Sequence, residues 1–213
     1  MQSIKILEMI NHGQIEELKE LLQDEIYQDE LKKKSGAKQR YSAMRKYFGY
    51  TNVSRVACQK PATIEFEGKT VTSFCNSYSL ALTVESPGNI CLFMDDDGVY
   101  PNVNRLIKRD GSPKEINLDA VFAEARSKGY KLTKREVNGG QYLMHYNGAY
   151  FRLGLIHATY AIIADGKNVT AYHDGKNISS LTLENELGVC LILPFKCDDE
   201  YIVNNDITVI DVK

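Results

Sequence analysis

Histidine and cysteine, the residue types that most often carry nucleophilic or metal chemistry, follow no catalytic pattern in this sequence. No two histidines have metal-ligand spacing, and the H-E-x-x-H, G-x-S-x-G, Walker A and G-x-G-x-x-G motifs do not occur. An odd number of cysteines without a C-x-x-C pair argues against a disulfide framework or a zinc site. We therefore predict no metal, no cofactor and five reduced core cysteines: Cys58, Cys75, Cys91, Cys190 and Cys197.

One enzymatic alternative stays open, because catalytic partners need to meet only in space. Cys75 or Cys190 with a histidine could form the nucleophile and base of a hydrolase, although no spacing selects such a pair. His157 lies in an apolar segment, which favours a hydrogen-bonded core histidine, and His173 at a strand end is expected to be exposed. The aspartates at 95–97 lack the alternate spacing of a calcium loop, so we interpret them as a polar turn.

Segment 31–63 is the strongest charge feature of the chain, with nine Lys or Arg and no Asp or Glu. Within it, residues 37–48 have helical spacing, with apolar residues on one side. Such cations bind nucleic acid by releasing counterions from phosphates. Interleaved aromatic residues could stack on unpaired bases: Tyr41, Tyr47, Phe48 and Tyr50. The alternative is a solvated helix whose long side chains cover its neighbours.

The residues before this basic segment predict helix over 1–34, with a break at Asn11-His12-Gly13. Apolar residues recur at three- and four-residue spacing between positions 4 and 26, and the other side is acidic, with eight carboxylates and two lysines in residues 1–30. The apolar stripe either packs on the body of the protein or joins a partner or a second copy.

From Pro61 the apolar period changes from about four to two, which predicts an antiparallel meander between residues 62 and 94. A loop follows over 100–112, and a helix over 117–128 has Asn117 or Asp119 as its cap and Gly129 at its end. Residues 131–137 and 141–146 are predicted to be strands around Asn138-Gly139-Gly140.

The last third predicts a strand at 150–153, an apolar helix at 155–164, and strands at 169–173, 178–184 and 189–193. A looser version of this order precedes it, with the basic helix 37–48, a short strand near 53–58 and the strands between 62 and 94. The sequence therefore predicts an α+β fold with helices packed on an antiparallel sheet, built from two halves of strand, helix and three strands.

Composition limits the classes of protein. The 213 residues are 43% hydrophobic and 25% charged with a net charge of -2, which is typical of a globular chain and excludes a uniformly basic nucleic-acid binder. No apolar run exceeds five residues, and the N-terminus lacks the apolar stretch of a secretory signal. We expect a cytoplasmic protein without membrane contact.

Three runs carry a resemblance to a known family: YPNVNRLI at 100–107, GAYF at 148–151 and GVCLILPFK at 188–196. With the order of the half-repeats, they resemble uncharacterised phage and mobile-element proteins of Gram-positive bacteria whose domain is similar to the DNA sliding clamp, the processivity factor of DNA polymerase. The resemblance covers residues 37–196, with an insertion near 95–147. It leaves 1–36 as an acidic helical extension and 197–213 as a C-terminal tail.

The resemblance implies a non-enzymatic DNA-associated accessory protein of a phage or integrative element. It implies that DNA is held electrostatically by helices on one face of a sheet. The residues that suit this role are Lys38, Arg40, Arg45 and Lys46, to which Arg126 and Lys128 are added. Two alternatives remain: a protein-interaction module that self-associates or binds a partner through residues 4–26, and the hydrolase described above.

Overall fold

The computed structural model of the protein describes residues 2–15, 18, 22, 36–50, 61–85 and 101–212. Its helices in chain order are α1 (Gln2–Asn11), α2 (Ala37–Tyr50), α3 (Val103–Leu106), α4 (Leu118–Ser127), α5 (Lys134–Gly139), α6 (Leu153–Tyr160) and α7 (Asp199–Asn204). Its strands are β1 (Ala62–Phe66), β2 (Lys69–Cys75), β3 (Ser79–Thr83), β4 (Lys114–Ile116), β5 (Tyr142–Tyr146), β6 (Ala149–Arg152), β7 (Val169–Tyr172), β8 (Leu181–Asn185), β9 (Gly188–Ile192) and β10 (Thr208–Val212). The fold is α+β, as predicted.

The described residues form a larger sheet of seven strands in the order β1-β2-β3-β9-β8-β7-β4, and every neighbouring pair is antiparallel. Its first six strands form two triplets, β1 to β3 and β7 to β9, which meet where β3 pairs with β9. One helix precedes each triplet, α2 before the first and α6 before the second. The described residues thus confirm the predicted order of a helix followed by three strands in each half.

Helix α6 lies between two sheets. The smaller sheet has the order β10-β5-β6, with β10 parallel and β6 antiparallel to β5. α6 packs against β3 and β9 of the larger sheet and against β5 and β6 of the smaller one. Every residue of α6 except His157 is buried, because its sequence is apolar on all sides. The main core therefore surrounds α6, and α2 packs beside it on the same face of the large sheet.

The opposite face of the large sheet has its own apolar cluster, which includes Phe66, Val71, Leu82 and Leu191. Helix α3 covers part of it with Val103, and Ile107 follows directly after the helix. Thr182 donates a hydrogen bond to the Lys108 carbonyl, which fixes the chain there. The predicted loop at 100–112 therefore contains a single helical turn.

Helix α4 confirms the prediction for 117–128. The Asn117 side chain accepts a hydrogen bond from the Ala120 amide at the N-cap, and Gly129 has φ +92° just after the helix. α1 ends at Asn11 and is followed by a turn at His12 and Gly13, as the predicted break requires. No helix among the described residues is long and apolar enough to cross a membrane.

Two predicted elements differ in the structure. Residues 131–137 are not a strand, because Thr133 caps helix α5 by accepting a hydrogen bond from the Glu136 amide. The predicted tail 197–213 contains α7 and β10, whose Ile210 is fully buried in the main core. The predicted strands near 53–58 and 90–94 and the aspartates at 95–97 lie outside the described residues.

Candidate nucleic-acid interface

Helix α2 presents three of the predicted cations to solvent. Lys38, Arg45 and Lys46 are exposed, whereas Tyr41 and Met44 on the other side are buried. Lys38 and Arg45 are seven residues apart, so they lie on one face of the helix about 10 Å apart along its axis. Residues 36–50 contain no Asp or Glu, so this face of α2 is purely cationic.

A buried network of side-chain hydroxyls fixes the orientation of α2. The Tyr47 hydroxyl lies 3.0 Å from Ser79 Oγ, and Asn76 Nδ2 donates to both of these oxygens at 3.0 and 3.1 Å. Thr159 of α6 donates to the same Ser79 oxygen at 2.8 Å. Burial raises the pKa of Tyr47, so its hydroxyl stays protonated. The network joins α2, the turn between β2 and β3, and α6.

Arg40 is a correction to the predicted set. Its side chain is buried, with bonds from Nε and Nη2 to the two Glu85 carboxylate oxygens at 2.8 and 2.7 Å. Nη1 donates to the Ala164 carbonyl at 3.0 Å. A guanidinium held in this way ties α2 to the end of β3 and to the segment after α6. It offers no donor group to a phosphate in solvent.

The aromatic residues of α2 are also placed differently from the prediction. Tyr41 and Tyr47 are buried, and Phe48 and Tyr50 are half-buried against the main core. Tyr47 packs edge-on against Phe48 and Phe74, with ring centroids 5.2 and 6.0 Å apart. These rings stabilise the packing of α2 against the main core. The expectation that Tyr41 and Tyr47 stack on bases is therefore wrong.

Arg126 and Lys128 are exposed at the C-terminal end of α4. Lys128 forms an ion pair with Glu124 at 2.8 Å, whereas no ion pair of Arg126 occurs in the described part of the chain. The charge of Arg126 acts on His157 of α6. The C-terminal end of α4 therefore lies beside the helix layer that contains α6.

Three further cations were missed in the sequence. Lys131, Lys134 and Arg135 are exposed, and the last two belong to α5, which packs against α2. Asn138 of α5 donates to the Tyr50 carbonyl at the end of α2 at 2.8 Å. The sequence does contain a charge pattern that indicates them, because residues 125–135 include five cations and no carboxylate. The prediction of a strand over 131–137 did not use this pattern.

The basic surface is therefore formed by α2, the end of α4 and α5. In residues 36–50 and 125–142 the one carboxylate is Glu136, which is buried and accepts a hydrogen bond from the Gln141 amide at 3.0 Å. We define the basic surface by its eight exposed cations: Lys38, Arg45, Lys46, Arg126, Lys128, Lys131, Lys134 and Arg135. The exposed Glu124, just before the second segment, pairs with Lys128, and the other seven cations form no ion pair among the described residues. The surface therefore suits a polyanion.

Three of the described histidines form hydrogen bonds within the fold, and one of them, His145, has Nδ1 2.9 Å from Asp211 Oδ1. Burial lowers the pKa of His157 to about 4, and the nearby charge of Arg126 lowers it further. The imidazole ring stacks on Phe122, with ring centroids 4.2 Å apart. Its Nδ1 lies 3.0 Å from the Tyr130 hydroxyl. The prediction of a hydrogen-bonded histidine is confirmed. His173 is buried rather than exposed, with Nδ1 accepting from the Gly175 amide at 3.2 Å.

The described cysteines are free thiols, as expected. Cys75 and Cys190 are buried and donate to the carbonyl oxygens of Asn76 and Thr159. Burial raises the pKa of Cys190, which disfavours the thiolate that a nucleophile requires. Cys197 is half-buried, and Cys58 and Cys91 lie outside the described residues. No cluster of three metal-ligating side chains occurs in the part of the chain that the structure describes.

Comparison of the chain with protein-family models, with curated proteins and with solved structures gives no match.

Proposed function

We propose that this protein is a non-enzymatic DNA-associated accessory factor that binds the DNA backbone through the basic surface. One observation carries this proposal: eight exposed cations come from neighbouring elements, and among the described residues Lys128 alone has an ion-pair partner, Glu124. Lysine and arginine side chains in such a surface neutralise phosphates and release condensed counterions, which gives affinity without base readout.

The sheet supports a clamp-like version of this proposal. Its two triplets, each preceded by a helix, meet at the β3 and β9 pair, which gives the sheet an approximate twofold arrangement. The two helices are nevertheless unlike each other. α2 has an exposed cationic side, whereas α6 is buried beneath the smaller sheet and has no Lys or Arg. DNA would therefore contact one half of the fold through α2 and its neighbour α5.

The proposal is tested by fluorescence anisotropy with a labelled 20-base-pair duplex across a salt series starting at about 50 mM. If the protein contacts four phosphates, the logarithm of the affinity should fall with the logarithm of salt with a slope of about -4. Lys38→Glu combined with Arg45→Glu should weaken binding at least tenfold at about 50 mM salt, because both attractive contacts become repulsive.

The matched control is Arg105→Glu combined with Lys108→Glu. These cations are also exposed, but they flank the segment on the opposite face of the large sheet. The net charge changes equally in the two double variants, so a difference in affinity reports position and not overall charge. No measurable binding by the wild-type protein at about 50 mM salt, or equal losses in the two double variants, would refute the proposal.

A second proposal concerns self-association through α1. Leu7 and Ile10 are 63% and 48% exposed, whereas Met9 is buried. Two large apolar side chains exposed three residues apart on one helix favour contact with a second copy of the chain.

A further inference from the structure

Beyond the basic surface, one arginine is held by aromatic rings and not by acids. Arg152, at the end of β6, places its guanidinium carbon 5.3 Å from the ring centroid of Tyr78 and 4.8 Å from that of Phe195. Its Nε is buried and has no hydrogen-bond partner within the described residues. Nor does any carboxylate there form an ion pair with it. The positive charge therefore contacts two ring faces and has no ion-pair partner among the described residues.

The backbone holds this stack in place. The Leu193 amide donates to the Tyr78 carbonyl at 2.9 Å, and the Phe195 amide donates to the Tyr150 carbonyl at 2.7 Å. The Tyr78 amide donates to Asn76 Oδ1 at 2.7 Å. All of these bonds involve main-chain atoms of the stacked aromatic residues, so the position of Tyr78 does not depend on its ring.

Tyr78 is 48% exposed although the guanidinium contacts its ring. About half of the residue is therefore open to solvent at the turn between β2 and β3. An exposed tyrosine backed by a cation is a platform on which a planar, electron-rich group can stack. Nucleobases are such groups, and the phosphates that link them are attracted to the same cation.

Residues next to the stack contact α2 and α5, two of the elements that carry the basic surface. Asn76 and Ser79, on either side of Tyr78 in its turn, bond to Tyr47 of α2. On the other side of the stack, Gly154 lies two residues after Arg152 and contacts the Glu136 backbone of α5 so closely that no side chain fits there. One contact thus connects each of α2 and α5 to a residue beside the stack, and both helices contribute cations to the basic surface.

The far end of the stack has the opposite charge. Phe195 contacts Tyr201 of α7, with ring centroids 6.0 Å apart, and three carboxylates mark the start of α7: the N-cap Asp198, then Asp199 and Glu200. Phosphates are repelled from these carboxylates, so a bound strand would extend from Tyr78 toward α2 and α5 and away from Tyr201.

We propose that the Tyr78-Arg152-Phe195 stack is a binding site for unpaired bases of single-stranded DNA, whose backbone continues onto the basic surface. The inference rests on the proposed function, because the stack supplies one base platform and the basic surface supplies the phosphate contacts. It gives the protein a preference for a single strand, or for a duplex end with an unpaired overhang, over a fully paired duplex.

The experiment compares anisotropy of labelled dT20 and of a 20-base-pair duplex with the wild-type protein and full-length variants. Tyr78→Ala should weaken dT20 binding about five- to hundredfold, the range for loss of one stacked base, and should leave duplex binding unchanged. Tyr78→Phe should retain wild-type affinity because it keeps the ring. Tyr201→Ala is the matched control: Tyr201 is 45% exposed but lies at the acidic end, so dT20 binding should not change.

The outcomes separate this inference from the proposed function. Absence of binding to both probes by the wild-type protein overturns both. Normal duplex binding together with equal dT20 affinities of the wild-type protein and Tyr78→Ala overturns the base site alone. A Tyr78→Leu variant that binds dT20 as well as wild type also overturns it, because leucine keeps apolar area without a ring. Unfolding curves that match wild type for Tyr78→Ala and Tyr201→Ala exclude a folding defect as the cause.

Discussion

At the scale of single residues, the ion pair of Arg40 with Glu85 shows that a cation of a basic helix can stabilise the fold instead of binding a ligand. Both carboxylate oxygens of Glu85 accept hydrogen bonds from the guanidinium, and the two side chains are 4% and 14% exposed. Removing one member of a buried pair leaves the other charged and without compensation, which costs more than the pair itself contributes.

We therefore expect Glu85→Ala to lower the free energy of unfolding by about 3 kcal/mol, measured by urea denaturation monitored by circular dichroism. The control is Glu67→Ala, which removes an ion pair to Arg109 that is largely exposed, with 53% of the Glu67 side chain accessible. Such a pair contributes about 1 kcal/mol at most. Equal losses for the two variants would mean that burial of the Arg40 pair has no energetic consequence.

The burial of Arg40 also shows how much of the candidate site can be predicted from residue types alone. Arg40 and Arg45 have the same chemistry and belong to the same basic run, and the helical spacing places them on different sides of α2. What makes Arg40 structural is a carboxylate 45 residues away. The composition predicted a cationic helix correctly. Its division into exposed and buried cations required the tertiary fold.

At the scale of elements, the close contact of α5 with α6 determines where the cations of α5 lie. A Cβ atom at Gly154 would lie 2.5 to 2.7 Å from backbone atoms of Glu136 and Val137, which cannot yield as a flexible side chain does. Glycine at this position allows the two helices to touch backbone to backbone. Any side chain there must move α5, and with it Lys134 and Arg135.

We expect Gly154→Ala to destabilise the protein by about 1 to 3 kcal/mol, the usual cost of overpacking a closed contact. Gly139→Ala is the control, because nothing lies within 4 Å of the added methyl group at the end of α5. Thermal denaturation of both variants measures the difference. If Gly154→Ala unfolds at the wild-type temperature, the backbone contact of α5 and α6 does not constrain the fold.

Elements whose caps and apolar pattern lie within a short stretch of sequence were predictable. Elements that depend on pairing with distant segments were not. α4 has a capping asparagine, an apolar stripe and a terminal glycine, all within 13 residues, and its predicted and observed bounds differ by one residue. α5 has six residues, too short for a periodic pattern, and Thr133 marks its start. β10 is a strand because it pairs with β5, more than 60 residues earlier, so the segment that contains it resembles a tail in sequence.

At the scale of the whole molecule, positive and negative charge are concentrated on different elements. The basic surface lies on α2, α4 and α5, whereas α7 begins with three consecutive carboxylates and the net charge is only -2. A net charge near zero is therefore compatible with groups of opposite charge on different elements. We therefore expect a polyanion to be attracted by the basic surface and repelled by the start of α7.

The exposed side of α1 gives the last prediction, which concerns assembly. Leu7 and Ile10 would be covered if two copies of the chain met through α1, because burial of apolar surface drives association. We expect light scattering at about 0.1 mM to give a mass above the 24.1 kDa of one chain. Leu7→Lys combined with Ile10→Lys should return the mass to that of the monomer. Val203→Lys on α7, where the side chain is 77% exposed, is the control and should not change it. A monomeric wild-type protein would show that α1 does not join two copies, and it would leave DNA binding by the basic surface as the function to be measured.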